Sequence, residues 1–318
     1  MTYPAVSNPS ATVPLSKIVC ILGVTGAGKS SLALKLAEKY DIAVVNFDSR
    51  QVYAELPIVT DQPAPRDQSI CPHYLYGFLS ADSPMDAGKF IALAREALDG
   101  AAVSGHLPVL VGGTGFYLRA LIQGLAPIPE IPEEVRTQVR LQCSELGTRF
   151  LHSRLSRIDP KSAQRIHPND GQRICRALEV YMCTGKKLSR WHEIKPEHPG
   201  FVGLKLGLAP NERSFLKDRL LSRIQTMLDK GAVQEVKNVL EKYGEDAPGL
   251  TGIGAAELVR YIQGKTTLEE TKQLWLKNTF AYAKRQVTWF KKEKDVLWLN
   301  PSSAMEEALR AVDAFLSP

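Results

Sequence analysis

Short apolar runs alternate with amphipathic segments through the first third of the chain. Residues 17–22, 42–47 and 107–111 form nearly continuous apolar runs, which are typical of strands buried on both faces of a parallel sheet. Residues 29–39 and 90–102 instead place apolar side chains at helical spacing. Strands alternating with helices predict a doubly wound parallel α/β sheet, whose ligands lie beyond the carboxyl ends of the strands.

The pattern changes after the proline-rich stretch 127–132. From there to about residue 191 it is helical, rich in Arg and without a convincing strand, so it predicts a helical insertion. Residues 202–208 and 296–299 predict two further strands, and residues 213–243 and 266–294 predict long helices. We therefore expect a flexible tail at 1–15, a core domain formed by 16–126 and 200–318, and an insertion at 127–199.

A glycine-rich loop joins the first predicted strand to the first predicted helix. It matches GxxxxGK[ST], the P-loop pattern, in the strand-to-helix context that the pattern requires. Its residues are predicted to bind phosphate through backbone N–H groups, the Lys ammonium and a Ser hydroxyl that can ligate Mg²⁺. They are Gly23, Val24, Thr25, Gly26, Ala27, Gly28, Lys29 and Ser30.

The carboxylate that most P-loop ATPases carry after a later strand is missing from the third run. Residues 107–111 lead into Gly112-Gly113-Thr114-Gly115, whereas an acid follows the second run, at Asp48. This arrangement counts against an ordinary ATPase. Asp48 is interpreted as a general base near the phosphate site, and the alternative for an isolated Asp is a turn or helix-capping residue.

The distribution of charged residues along the chain indicates a binding partner. The 318-residue chain has a net charge of +6, but residues 149–192 hold 10 Lys/Arg against 3 Asp/Glu, and residues 272–294 hold 7 against 1. Basic residues confined to two stretches of an otherwise acidic chain indicate a polyanion as partner. Solvated helix faces are the alternative, although they would carry more balancing Glu.

The cysteines and the apolar runs of the chain indicate its cellular compartment. The 5 cysteines are scattered, with no CxxC pair, so neither a disulfide framework nor a zinc site is predicted. Residues 1–15 lack the features of a signal peptide, and no apolar run reaches the ~20 residues of a membrane helix. We expect a cytoplasmic monomer without membrane contact.

Five motifs in order resemble the tRNA dimethylallyltransferase family, also called tRNA isopentenyltransferases. Without a Cys/His zinc finger after the core, the chain resembles the bacterial form. The matching motifs are the P-loop, Asp48-Ser-Arg-Gln-Val-Tyr53, Gly112-Gly-Thr-Gly-Phe-Tyr117, Asn169-Asp-Gly-Gln-Arg173 with Arg176-Ala-Leu-Glu179, and Tyr282-Ala-Lys-Arg-Gln286 with Trp289-Phe290.

The resemblance implies an enzyme of the prenyltransferase class. It would transfer a dimethylallyl group from dimethylallyl diphosphate to N6 of adenosine 37 beside the tRNA anticodon, releasing diphosphate. The P-loop, with Mg²⁺ on Ser30, would neutralise the leaving diphosphate, and Asp48 would take the proton from the adenine amine. Thr25 would orient the reacting groups, and Arg219 and Arg223 would lie near the diphosphate, unless they form a solvated basic stripe.

The resemblance also implies a set of tRNA contacts. An anticodon base must leave its stack to reach an active site, and Arg and Gln side chains can fill its place. Tyr282, Trp289 and Phe290, at helical spacing, are interpreted as core residues rather than base-stacking ones. The implied contacts are Asp48, Ser49, Arg50, Gln51, Thr114, Arg136, Gln172, Arg173, Ile174, Cys175 and Arg176.

Three positions depart from the family pattern. Gly171 replaces an expected Pro, Tyr74 follows His73 where a second His is expected, and Ala255-Ala256 replaces a Tyr-Arg/Lys pair. The last departure puts a tRNA contact there in doubt. Three alternatives stay open: an adenylate isopentenyltransferase, which acts on a free nucleotide, a P-loop small-molecule kinase, and a non-catalytic nucleotide-binding module.

Overall fold

The computed structural model describes residues 16–194, 200–208, 213–300 and 303–317. The chain forms two compact units. One combines Met1–Ile122 with Gly200–Pro318, and the other is Gln123–Pro199. Among the described residues, no helix is both long enough and apolar enough to cross a membrane.

The first unit contains one parallel sheet. Its strands, in chain order, are β1 (Ser16–Gly23), β2 (Ile42–Asn46), β3 (His73–Tyr74), β4 (Leu107–Gly112), β5 (Phe201–Leu208) and β6 (Val296–Leu299). They are ordered β3-β2-β4-β1-β5-β6 across the sheet, and every pairing is parallel. The predicted parallel α/β fold is confirmed, and β3 is a strand that the sequence pattern did not predict.

Helices fill the connections between these strands. In chain order the first four are α1 (Lys29–Leu36), α2 (Pro65–Gln68), α3 (Ala87–Val103) and α4 (Gly115–Gln123). The second unit contributes α5 (Glu133–Leu146), α6 (Thr148–Ile158), α7 (Pro160–Arg165), α8 (Gly171–Thr184) and α9 (Leu188–Trp191). The chain returns to the first unit with α10 (Arg213–Asp229), α11 (Ala232–Tyr243), α12 (Ala255–Ile262), α13 (Leu268–Phe290) and α14 (Ala304–Leu316).

Helices cover both faces of the sheet. Since side chains alternate across each strand, one strand contributes to a core on each face. Ile18, Cys20 and Leu22 of β1 belong to a core that includes Phe90 of α3 and Phe290 of α13. The intervening residues of β1 pack in a second core, with side chains of α1 and α14. The doubly wound arrangement therefore matches the prediction. Phe290, with 1% of its surface exposed, is a core residue as interpreted.

The helical prediction over 213–243 is confirmed, but the segment is not one continuous helix. It is two helices, α10 and α11, that meet at Gly231, whose φ of 97° lies in the left-handed region. Glycine adopts that conformation without the steric cost that a Cβ imposes, so the chain turns there. The turn separates α10, which carries Arg219 and Arg223, from α11.

Helices are the regular structure of the second unit, and its described residues, 123–194, include no strand. Its core joins α5, α6 and α8 through buried residues such as Val139, Leu151, Leu155 and Leu178. α8 begins after Asp170, whose carboxylate accepts a hydrogen bond from the N–H of Arg173 and caps the helix. Gly171, which departs from the family pattern, is therefore the first residue of α8.

Gly115 is held by close packing at the start of α4. A Cβ at this position would overlap the indole ring of Trp289. Gly115→Ala should therefore lower the free energy of unfolding by about 1–3 kcal/mol, measured by urea denaturation. Gly100→Ala in α3 is the matched control, because its Cβ would meet no heavy atom within 4 Å, and it should stabilise by about 0.4–1 kcal/mol. Wild-type stability of Gly115→Ala would contradict this packing.

Candidate active site

The P-loop lies at the carboxyl end of the central strand β1. Gly26 and Gly28 have φ values of 78° and 94°, which a residue with a Cβ rarely adopts. The N–H of Ala27 donates to the carbonyl oxygen of Val24 at 3.2 Å, closing the turn that leads into α1. The loop therefore directs the N-terminus of α1 and its unsatisfied N–H groups toward one site, which favours an anion.

Lys29, the first residue of α1, provides a positive charge at this site. Its Nζ donates to the carbonyl oxygen of Val24, 2.9 Å away. Its pKa is lowered to about 8 as the net result of burial, the largest cause, and the nearby Arg223, which lower it, and of Asp48 and Asp61, which raise it. Since the two carboxylates do not offset burial and the neighbouring cation, a bound anion would stabilise the charged form of Lys29.

Asp48 follows β2, and its carboxylate is close enough to the Lys29 ammonium to raise the pKa of Lys29. Its backbone N–H donates to Oδ1 of the buried Asn46 at 2.7 Å, and its own Oδ1 accepts the N–H of Arg50 at 2.9 Å. Asn46 is fixed in turn by donating to the carbonyl oxygen of Leu75 at 2.8 Å. Asp48 thus closes a turn, as the alternative interpretation expects, and it also lies beside the P-loop, as the functional interpretation requires.

The residues after Asp48 are bonded within the first unit. The N–H of Ser49 donates to Oγ1 of Thr114 at 3.0 Å. A guanidinium N–H of Arg50 donates to Oγ1 of Thr251 at 3.0 Å, and Nε2 of Gln51 donates to the carbonyl oxygen of Asp61 at 2.6 Å. These contacts hold the segment in place beside the P-loop.

Arg223 reaches the P-loop from α10. Its guanidinium donates to the hydroxyl of Thr25, and its Nε donates to Oδ2 of Asp61 at 2.8 Å. Arg219, one turn earlier, places a guanidinium nitrogen 3.7 Å from the position of a Cβ on Gly28. α10 is held there because Leu216 and Leu220 pack against Val24 and α13. Both predicted arginines therefore lie beside the P-loop.

Asp61 and Gln286 are residues of the site that sequence reasoning missed. Asp61 pairs with Arg223 and has a left-handed φ of 57°. Gln286 accepts from the N–H of Thr25 and donates to the carbonyl oxygen of Gly113. The available signal for Gln286 was its place in the Tyr282–Gln286 motif, to which no role was assigned.

Ser30 is the residue predicted to ligate magnesium. It lies exposed in the first turn of α1 and lines a cavity of about 90 Å³ together with Asp61, Asp67, His73 and Tyr76. The described residues include no group of three or more His, Cys, Asp or Glu side chains that could hold a metal. Mg²⁺ bound with a phosphate ligand keeps several waters and needs only one or two protein oxygens, so one hydroxyl suits it.

The tRNA contacts predicted in the second unit differ in exposure. Gln172, Arg173 and Arg176 are exposed on α8, whereas Ile174 and Cys175 are 0% and 8% exposed and belong to the core of the unit. The period of α8 turns the side chains of Ile174 and Cys175 inward, so a tRNA contact at these two residues would come from their backbone and stays a prediction. A separate residue, Arg136 of α5, is half-buried and lies 3.7 Å from Glu133.

Fold and site together define a P-loop protein of the α/β class that has a carboxylate, Asp48, beside the P-loop lysine. The family model described as IPP transferase matches residues 51–293. The chain belongs to the IPP transferase family.

Relatives and solved structures agree with this membership. A tRNA dimethylallyltransferase of Maridesulfovibrio salexigens is 50% identical over 289 residues, which covers 89% of this chain and 92% of the relative. The structure of a tRNA isopentenylpyrophosphate transferase from Bacillus halodurans is 31% identical, with a TM-score of 0.70, and covers 95% of this chain and 97% of its own. A eukaryotic dimethylallyltransferase, described as acting on tRNA, is 28% identical with a TM-score of 0.81, covering 93% and 78%.

Proposed function

We propose that the chain transfers a dimethylallyl group from dimethylallyl diphosphate to N6 of adenosine 37 beside the tRNA anticodon, releasing diphosphate. The observation that carries the proposal is the position of Asp48 at the P-loop, within electrostatic range of Lys29. A carboxylate in this position would serve as a proton acceptor beside the leaving diphosphate. Relatives named tRNA dimethylallyltransferase, up to 50% identical, support the same reaction.

The P-loop residues would hold the diphosphate. Lys29, Arg223 and Arg219 would place positive charge where negative charge grows as the allylic C–O bond breaks. Magnesium on Ser30 would supply further neutralisation of the departing diphosphate. Thr25, fixed through its N–H and its hydroxyl, would orient the diphosphate against the acceptor.

Asp48 would act on the acceptor side of the reaction. One carboxylate oxygen, Oδ1, already accepts the N–H of Arg50, which fixes the orientation of the group. The other would accept the proton that N6 of adenine loses as the new C–N bond forms. Thr114 would hold the neighbouring Ser49, so that the carboxylate keeps its direction.

A surface for tRNA would come from exposed and half-buried side chains of both units, considered separately. In the second unit these are Gln172, Arg173 and Arg176 of α8, with Arg136 of α5. In the first unit, Ser49, Arg50, Gln51 and Thr114 lie beside Asp48 and would surround the target base. We place this activity in the cytoplasm, where the free cysteines of the chain fit a reducing environment, and we propose a monomer.

The test is to incubate the purified protein with labelled dimethylallyl diphosphate, Mg²⁺ and unmodified tRNA. Parallel reactions contain AMP in place of tRNA, or ATP alone. Prenylated adenine in tRNA is the expected product. Label confined to AMP would assign the chain to adenylate isopentenyltransferases, and ATP hydrolysis without prenyl transfer would refute the proposal in favour of a kinase-like enzyme.

Arg176 should contribute to tRNA binding through charge. Arg176→Gln is expected to raise the KM for tRNA at unchanged kcat, and to reduce the slope of log affinity against log salt concentration by about 1. Arg310→Gln, an exposed position on α14, is the matched control and should leave both unchanged. Equal salt slopes for Arg176→Gln and wild type would remove Arg176 from the tRNA surface.

A further inference from the structure

The side chain of Gln286 joins the P-loop to the loop that follows β4. Its Oε1 accepts the backbone N–H of Thr25, and its Nε2 donates to the carbonyl oxygen of Gly113, both at 2.9 Å. Only 5% of the residue is exposed. Since a buried amide with partners at both ends resists displacement, the two loops are held at a fixed separation.

These loops carry the two sides of the proposed reaction. Thr25 belongs to the phosphate loop, whereas Gly113 packs against Asp48, because a Cβ on Gly113 would lie 3.4 Å from Oδ2 of Asp48. The same Cβ would overlap Nε2 of Gln286, so the glycine is required for the amide to approach. Gln286 is therefore the residue through which α13 spaces the phosphate loop from the carboxylate.

The chemistry of the two contacts requires an amide. One partner is an N–H donor and the other is a carbonyl acceptor. The linking side chain must therefore accept at one of its two terminal atoms and donate at the other. Glutamate would accept from Thr25 but would place a second oxygen against the carbonyl of Gly113. Methionine would keep the length of the side chain and lose both hydrogen bonds.

We infer that Gln286 is a positioning residue that sets the distance between the bound diphosphate and the Asp48 carboxylate. This inference rests on the proposed function. Misplacing reacting groups by about 1 Å can cost roughly 10²-fold in rate. Loss of Gln286 should therefore act on kcat, because the charged groups that bind the diphosphate remain.

The kinetic test uses Gln286→Met and Gln286→Glu. Each should lower kcat for tRNA prenylation by about 10- to 100-fold, while the KM for dimethylallyl diphosphate and for tRNA stays within about threefold of wild type. A KM increase that accounts for the whole loss of kcat/KM would overturn the positioning role. So would wild-type kcat in Gln286→Met.

Thr271→Val is the matched control for damage to α13. Thr271 is 1% exposed, and its hydroxyl bonds to the carbonyl oxygen of Thr267 and to the hydroxyl of Thr266 at the N-terminal end of the helix. The variant therefore loses two hydrogen bonds of α13 without touching either loop. It should keep wild-type kcat at a comparable loss of Tm. If Thr271→Val loses as much kcat as Gln286→Met, the loss of kcat results from destabilising α13, and the inference is wrong.

A second readout does not depend on activity. Hydrogen exchange at the N–H of Thr25 should be about tenfold faster in Gln286→Met than in wild type, and unchanged in Thr271→Val. Unchanged exchange in Gln286→Met would overturn the link between the loops, whatever the activity. A wild-type protein that protects Thr25 but does not prenylate tRNA would instead refute the proposed function, and with it the catalytic consequence drawn here.

Discussion

Asp48→Asn is expected to lower kcat for tRNA prenylation by about 10²- to 10⁴-fold, the usual contribution of a general base. The amide can still accept the N–H of Arg50, so the turn after β2 persists. It cannot take a proton from N6 of adenine at neutral pH. Pyrophosphate affinity, measured by calorimetry, should be nearly unchanged, because the P-loop and its Lys remain.

Asp41→Asn is the control for this substitution. Asp41 is exposed and precedes β2 at the opposite end from Asp48, where it lies 3.4 Å from His106. Single-turnover rates with saturating substrates should match wild type for Asp41→Asn. Near wild-type rates in Asp48→Asn would show that proton transfer to this carboxylate is not part of the reaction, while leaving the phosphate site intact.

Lys29→Met is expected to lower kcat/KM for dimethylallyl diphosphate by about 10²- to 10³-fold, the effect typical of removing one preorganised electrostatic contact. Burial already lowers the pKa of Lys29 to about 8, which reflects a cation placed where few water molecules offset its charge. Such a charge interacts strongly with an anion. Steady-state kinetics and pyrophosphate calorimetry measure the loss.

Lys35→Met, in the last turn of the same helix, provides the comparison. Lys35 is exposed and lies at the opposite end of α1 from the P-loop, so its loss should change neither kcat/KM nor pyrophosphate affinity. If Lys29→Met binds pyrophosphate as tightly as wild type, the diphosphate does not lie on the P-loop, and the assignment of residues 23–30 fails.

The parts of the fold that could be predicted are those determined by neighbouring residues. The apolar runs 17–22, 42–47 and 107–111 became β1, β2 and β4, because strands buried on both faces need no polar alternation. The P-loop was identified by spacing, and its glycines do have the left-handed φ values that the turn demands. Asp48 was predicted because it follows a strand that ends at the ligand edge.

The remaining parts depend on contacts between distant positions. Gln286 bonds to Thr25 across 261 residues, and Arg223 pairs with Asp61 across 162, separations at which spacing carries no signal. The helix break at Gly231 was missed because apolar side chains continue in helical register on both sides. Ile174 and Cys175 were included with their polar neighbours, although helical periodicity places them in the core.

The position of β1 has a consequence for the synthesis of the protein. β1 lies between β4 and β5, and residues 18–22 are fully buried, yet β5 is made only after the whole second unit. Until then β1 is an edge strand with an apolar surface, the kind of edge that pairs with other chains. A nascent or truncated chain ending before residue 201 should therefore aggregate or require a chaperone. β1 precedes the other strands of this sheet in the chain, yet it should be among the last to be paired on both edges.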